Sequence, residues 1–468
     1  MQYLIETYGC QMNKAESSAL ELIFKERSWS PAADAAAADL VLINTCSVRV
    51  TAENRAWGRI DLHAAAKRER RASGGRELAL VVTGCMAERM KSEIKTRQPA
   101  VDYVVGTFQK QAFGLVLDAV EQSAASGRPP LLDIDESPAF VFASSYYEPG
   151  SFRSFVPIMH GCDNFCSYCI VPYIRGREIS RSPSAILAEI ASLEDSGVRE
   201  ITLLGQNVNS YSWRGGVAKQ AAANEAAGGE DVDRDSCDFP ALLRLISNTL
   251  RGRGRGGVRW VRFLTSHPKD LCDEVIAVLA EDSLFCKHVH LCVQSGSDAV
   301  LKAMNRSYTR ETYLRLVERM RAAIPGLSLS TDILVGFPGE TEEDLELTLS
   351  LMREVGYSYS YMYHYNPREG TPAATMPGRI AEGVKRARLA RVIETQKGLT
   401  KSLMESRLGS VEEALIEAVS RRKSSELLAR TQRDEMVVFS APAARVGSFA
   451  RLRLASLSGN TFKAEDMG

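Results

Sequence analysis

The sequence predicts an α/β chain of three units: an N-terminal open parallel-sheet domain, a central partial (β/α)6 barrel and a small C-terminal β-barrel. Two series of short apolar runs, each run followed by a helical pattern, predict the first two units, because strands that alternate with helices assemble into parallel sheets. A proline-rich stretch without periodicity separates the series, and the end of the chain changes to short β-rich runs between turns. At 468 residues there is room for two to four domains of the usual ~150 residues.

In residues 1–130 the apolar runs are 3–7, 40–44, 78–83 and 101–105, with helical periodicity over 14–26 and 54–71. Pro129, Pro130, Pro138 and Pro149 then mark a linker at about 131–150. Candidate strands follow at 155–159, 200–205, 260–265, 288–293, 328–335 and 359–365, separated by helical patterns such as 183–196 and 342–355. Six such units in residues 151–400 make a barrel whose chemistry belongs at the C-terminal ends of the strands. Residues 214–236, rich in Ala, Gly and Asp, interrupt it as a low-complexity insertion. Residues 377–403 read as one helix leaving the barrel, and 401–468 carries β-rich runs at 414–418, 436–439 and 449–454.

The 58 Lys+Arg balance the 58 Asp+Glu, so global charge names no partner and any nucleic-acid surface must be a local patch. The opening MQYLIETYGC has no signal-peptide pattern and the apolar runs fall far short of the ~20 residues a membrane span needs, which predicts a cytoplasmic protein with no membrane partner. In that reducing compartment ten cysteines point to metal or redox chemistry and away from a disulfide framework.

Cys162, Cys166 and Cys169 stand as C-x3-C-x2-C directly after a predicted strand, in a loop bounded by Gly161 and Pro172. Three thiolates can bind three irons of a 4Fe-4S cube and leave the fourth open to a substrate; the alternative is zinc, with His160 as fourth ligand. Cys10, Cys46 and Cys85 each follow a strand, and strand ends of an open α/β sheet converge on one edge, so these three can form a second cluster or be three separate buried thiols.

The triplet with its aromatic Tyr168 resembles the radical S-adenosylmethionine (SAM) superfamily. That resemblance implies that SAM chelates the open iron and that one-electron reduction yields a 5′-deoxyadenosyl radical. YGCQMN, NTCSV and GCMAER resemble the methylthiotransferase N-terminal domain, which implies an auxiliary 4Fe-4S cluster on Cys10, Cys46 and Cys85 that carries sulfur. The likeness continues through FLTSHP, VQSGSDAVLKAMNRSYTRETYL, TDILVGFPGETEEDL and NPREGTPAA, and GQNVNSY is similar to the tRNA-2-methylthio-N6-dimethylallyladenosine synthase family. Sister families act on threonylcarbamoyl-adenosine in tRNA or on a ribosomal protein, and remain alternatives. A non-catalytic RNA-binding protein with structural metal clusters is the alternative of another class.

Gly205, Gln206 and Asn207 end a strand, where they form a polar turn or, as the resemblance implies, meet the methionine end of SAM; with SAM bound, Gln294 and Ser295 can hydrogen-bond its ribose and the Gly336 to Glu340 turn can meet its adenine. Cys237, Cys272, Cys286 and Cys292 read as structural. The family usually has Pro where this chain has Cys292, and the sequence offers that thiol no ligand partners.

Three basic runs, 49–76, 248–262 and 385–401, predict a shared phosphate-binding groove. ARTQRDEMVVF and VGSFARLRL resemble a TRAM domain, which implies tRNA binding with Arg430, Thr431 and Arg433 as contacts. The implied partners are a tRNA with isopentenylated adenosine 37 and a flavodoxin- or ferredoxin-type electron donor, with the chain acting as a monomer.

Overall fold

The computed structural model describes the chain apart from residues 48–49, 109–111, 127–131, 133–139, 143–146, 149, 215–235 and 255–256. Most of the expected linker and insertion therefore lies outside the described residues.

The first domain is a five-stranded parallel sheet in the spatial order Ser30–Pro31, Gln2–Tyr8, Leu40–Thr45, Ala79–Gly84, Tyr103–Val105. Leu40–Thr45 and Ala79–Gly84 are buried along their whole length, which is why they read as unbroken apolar runs. Leu20, Phe24 and Phe113 on helices Gln11–Glu26 and Phe113–Ser126 cover one face, and Trp57, Ile60, Met86 and Ile94 cover the other. Strand order reverses between Gln2–Tyr8 and Leu40–Thr45, and a crevice opens at the carboxyl ends of such a pair.

Six parallel strands form the second unit. Arg153–Pro157, Glu200–Leu204 and Trp260–Phe263 pair in that order, as do His288–His290, Ser328–Val335 and Tyr359–His364. Isolated bridges Val261–Phe285 and Ser266–Leu291 join the two halves, while the first and sixth strands do not pair. The result is the expected partial barrel. Its outer helices include Pro183–Asp195, Phe239–Gly252, Arg310–Ala323 and Glu342–Val355. Thr341 and Asp344 exchange capping hydrogen bonds at the start of the last of these, a cap worth about 1 kcal/mol, and Gly356 ends it at φ 59°.

At the insertion, Ser212–Trp213 pairs antiparallel with Cys237–Asp238, so the chain leaves and re-enters the barrel at one place. The helix expected to leave the barrel begins at Glu382 and stays on it instead: Gln396 bonds Ser360 Oγ and Tyr357 O, and Thr400 donates to Ser358 O. Its buried stripe is largely polar (Lys385, Arg388, Gln396, Thr400), so hydrophobic periodicity could not reveal the packing.

The last unit is a closed barrel of five strands, Val411–Val419, Glu426–Thr431, Met436–Ser440, Thr461–Asp466 and Phe449–Ser458. It docks on the strand beginnings of the central barrel, away from the strand ends that carry the cysteines. Trp260 packs edge-on against Phe449 at 4.9 Å, buried Arg262 donates to Thr431 O at 2.8 Å, and Tyr359 donates to Asp434 at 2.7 Å.

Candidate active site

Cys10 ends the first strand and is the N-cap of helix Gln11–Glu26. Its backbone N–H and thiol both donate to Asn13 Oδ1, at 3.2 and 3.4 Å. Asn13 Nδ2 donates to Asn44 Oδ1 and Thr45 O, and Asn44 Nδ2 donates back to Asn13 O and Ser17 Oγ. This buried amide network fixes the turn of Cys10 against the strand that ends at Cys46, and sequence reading missed it because an Asn in a first helical turn reads as a cap. Gly84 has φ 94°, and a Cβ there would meet Thr45 O at 2.4 Å, so glycine is required where strand Ala79–Gly84 turns into Cys85. Cys46 and Cys85 are buried. Burial pushes the Cys85 thiol up to about 12, with Arg175 opposing and Glu16, Cys46 and Cys10 adding to the rise, so the three thiols share one electrostatic neighbourhood. A metal that replaces the proton removes that cost.

The second cysteine loop opens at Gly161, with φ 81°, where a Cβ would meet Arg177 O at 2.0 Å. Cys162 N donates to Gly176 O, Cys169 N to Cys166 O, and Ser167 is fastened to Met304 O and Ala303 O. Burial raises Cys162 to about 11 and Cys169 to about 12, and Cys166 adds to both. Arg306, which the sequence did not single out, places Nη1 3.3 Å from Cys166 Sγ while Nη2 donates to Cys292 O.

The two cysteine loops meet across the domain junction. Cys85 packs against Ile170, which directly follows Cys169, and against Ile174 one helical turn further on. Arg175, on the short helix Val171–Arg175, donates from Nη1 to Glu16 at 2.8 Å, and both side chains are buried. Its Nη2 is buried without a hydrogen-bond partner among the described residues, and the guanidinium lies in the field of Cys85 and Cys10. A buried donor left over beside thiols fits an anionic, sulfur-rich group such as an iron-sulfur cluster. The donor sets, two groups of three thiols, fit the same group.

A cavity of about 380 Å³ lies beside Cys169, lined also by Tyr168, Gln294, Asp332, Tyr363 and Arg368. Gln294 thus faces it, with φ 69° at the strand end. The other residues expected to touch SAM hold the surrounding loops. Gln206 Oε1 accepts from Gly161 N at 2.7 Å; Asn207 donates to Asp270 and accepts from His267 N. Ser295 is buried against Thr348, while Glu340 accepts from Gly336 N and Arg388. A Cβ on Gly205 would meet the Met159 side chain at 2.5 Å, so that glycine serves close packing. The polar atoms of Asn207, Ser295 and Glu340 are engaged by the protein, because strand-end loops need internal partners when buried.

The expected RNA contacts also have partners within the chain. Arg430 pairs with Glu417 and Asp434, Thr431 is buried and bonded to Glu435, and Arg433 donates to Gly326 O and Glu435. These three residues lie at the junction of the two barrels. Six cations of the basic runs are likewise paired internally: Arg59 with Glu6, Lys67 with Asp102, Arg253 with Glu194, Arg259 with Glu413, Arg262 with Glu200 and Arg388 with Glu340. Their acids are distant in sequence. A further groove of 870 Å³, lined by Lys269, Lys302, Arg306, Arg315 and Arg319, adjoins the second cysteine loop through Arg306.

Residues 156–352 match the Radical SAM superfamily and residues 2–106 match the uncharacterized protein family UPF0004. The chain is 46% identical over 472 residues to the tRNA-2-methylthio-N(6)-dimethylallyladenosine synthase of Treponema denticola, with 99% of each chain covered. It is 40% identical over 456 residues to the protein of the same name from Carboxydothermus hydrogenoformans, covering 97% of this chain and 96% of the relative. Among solved structures, the radical SAM methyltransferase TsrM from Kitasatospora setae, with cobalamin and a 4Fe-4S cluster bound, superposes with a TM-score of 0.55 at 15% identity, covering 80% of this chain and 77% of that one. That likeness concerns the fold. Among the described residues no helix is long and apolar enough to cross a membrane.

Proposed function

The chain belongs to the tRNA-2-methylthio-N(6)-dimethylallyladenosine synthase family, and from that premise we propose that it adds a methylthio group to C2 of N6-isopentenyladenosine at position 37 of tRNA. The observation that carries this reading is the contact, across the junction of two domains, between the strand-end turns that bear Cys10, Cys46 and Cys85 and the loop that bears Cys162, Cys166 and Cys169, with Cys169 on the wall of a cavity. When bound, SAM on a reduced 4Fe-4S cluster supplies a carbon radical able to attack a strong C–H bond that polar acid–base groups leave untouched.

The residues divide the work. Cys162, Cys166 and Cys169 hold the SAM-binding cluster, with Arg306 as a donor to Cys166. Cys10, Cys46 and Cys85 hold the auxiliary cluster that carries sulfur, with the Arg175 guanidinium in the field of Cys85 and Cys10. Gln294 lines the cavity that takes SAM, and Gln206 orients the loop through Gly161 N. Burial of Cys46, Cys85 and Cys166 limits the access of water to the reactive centre.

tRNA engages the cationic groove around Lys269 and Lys302 and the exposed cations Arg421, Arg422, Arg451, Arg453 and Lys463 of the C-terminal TRAM-like barrel. Those five barrel cations make no ion pair among the described residues, so they can meet phosphates without first breaking one. The reaction takes its electrons from a flavodoxin- or ferredoxin-type donor in the cytoplasm, and the chain acts as a monomer.

Two measurements test this reading. Anaerobically reconstituted protein should be brown with about eight irons per chain, the content of two 4Fe-4S cubes. Nucleosides of tRNA from a host lacking the gene should lose the methylthio derivative of isopentenyladenosine and regain it on complementation. A missing methylthio mark on threonylcarbamoyl-adenosine alone would overturn the substrate assignment.

A further inference from the structure

Outside the two cysteine loops, a third set of metal-binding side chains converges at the strand ends of the central barrel. The sequence offered Cys292 no partners; the structure supplies two. His290, at the end of strand His288–His290, and Cys292 just beyond it face Asp332 on the neighbouring strand, and one ligand atom from each lies within 4.8 Å of the others. His290 Nε2 is 3.6 Å from the Asp332 carboxylate. That is too long for a hydrogen bond. It is close to the edge of a tetrahedron built on zinc bonds of about 2.1 Å, which comes to about 3.4 Å.

The surroundings hold these groups in place. His290 Nδ1 lies 2.9 Å from Ser330 Oγ, so the ring is fixed with Nε2 toward the carboxylate, as outer partners of metal-bound imidazoles do. The Cys292 carbonyl accepts from Arg306 Nη2 and from the Tyr308 hydroxyl, which anchors the backbone under the thiol. His290 and Cys292 are buried, whereas Asp332 is partly exposed on the wall of the 380 Å³ cavity. One sulfur, one nitrogen and one oxygen donor suit a borderline divalent cation, and a thiolate with a carboxylate balances its two charges.

We propose that His290, Cys292 and Asp332 form a mononuclear zinc site, separate from both cysteine triplets, whose fourth position opens on to the cavity through Asp332. Three protein ligands with one open position are the arrangement in which zinc takes a water or another small donor. The site does not depend on the assignment of the six cluster cysteines.

The test uses cluster-loaded protein, equilibrated anaerobically with equimolar Zn2+ and a weak chelator, desalted, and assayed for zinc and iron by mass spectrometry. The wild-type chain should retain about one zinc more than Cys292→Ala and the isosteric Asp332→Asn, with iron content and circular dichroism alike in all three. Zinc-edge absorption fine structure should give one sulfur, with nitrogen and oxygen completing the shell. Should Cys292→Ala fold poorly, Asp332→Asn carries the comparison. Equal zinc in wild type and Asp332→Asn, no retained zinc, or a shell of three sulfurs would overturn the proposal.

Discussion

Replacing Arg175 by Met removes a buried cation that joins the two cysteine-bearing domains and leaves the Glu16 carboxylate buried without its guanidinium. Arg175 is 3% exposed and Glu16 7%, and their 2.8 Å contact crosses from the barrel to the first domain. Breaking a buried pair from one side costs about 3–5 kcal/mol, because the surviving charge is left in a low dielectric. For a unit of this size, where 1 kcal/mol moves a melting midpoint by about 2–4 °C, the transition that contains the junction should fall by roughly 10 °C. Adding Glu16→Gln to Arg175→Met should recover most of the loss, since the uncompensated charge is then gone, while Arg175→Lys should fall in between because Lys cannot reproduce the planar fork. Scanning calorimetry of the cluster-free protein reads the stability. A midpoint in Arg175→Met within about 2 °C of wild type, or a double variant no more stable than the single one, would refute the reasoning.

Other expectations follow from the same contacts. Burial raises the Glu6 carboxyl, but hydrogen bonds from His63 and Arg59 outweigh it and hold the group at about 2, below its ordinary 4.5. Its contribution is therefore complete above pH 4.5 and disappears as pH falls toward 2, so Glu6→Gln should flatten that part of the acid-unfolding profile; an unchanged profile would contradict it. Removing residues 214–236 should leave turnover within a few fold, because Trp213 and Cys237 already pair at the base of the segment, and loss of SAM cleavage in a folded variant would show otherwise. Reversing Arg451, Arg453 and Lys463 to Glu should weaken tRNA binding and lower its salt slope by about 0.9 per lost phosphate contact while SAM cleavage persists; an unaltered slope would exclude that face. Substitution is the better probe than truncation after Leu408, since Arg262 and Trp260 are buried against the C-terminal barrel and truncation would expose them.

Order and type of the main elements were readable where burial follows a simple period. Leu40–Thr45 and Ala79–Gly84 are buried on both faces and show as continuous apolar runs, and the six barrel strands alternate with amphipathic helices. Ser30–Pro31 pairs over two residues and carries no pattern to find. Helix Glu382–Glu405 was misjudged because polar side chains make its packing contacts. Cysteine spacing singled out Cys162, Cys166 and Cys169, and strand-end position singled out Cys10, Cys46 and Cys85, since the ends of parallel strands lie along one sheet edge. Side-chain partners distant in sequence were not readable: Arg262 finds Glu200, Arg259 finds Glu413, and Thr431 with Arg433 turns inward to the barrel junction. The same blindness hid His290 and Asp332 from Cys292, which the register of adjacent parallel strands brings together.

The central claim is that the two triplets hold different clusters with different tasks, and it is tested most directly by changing each triplet to Ala in turn. Each variant should bind about four irons, the content of one cube. With Cys162, Cys166 and Cys169 replaced, reduced protein should form no 5′-deoxyadenosine. With Cys10, Cys46 and Cys85 replaced, it should still form 5′-deoxyadenosine and yield no methylthiolated tRNA. Methylthiolated tRNA from the second variant, or 5′-deoxyadenosine from the first, would contradict the account.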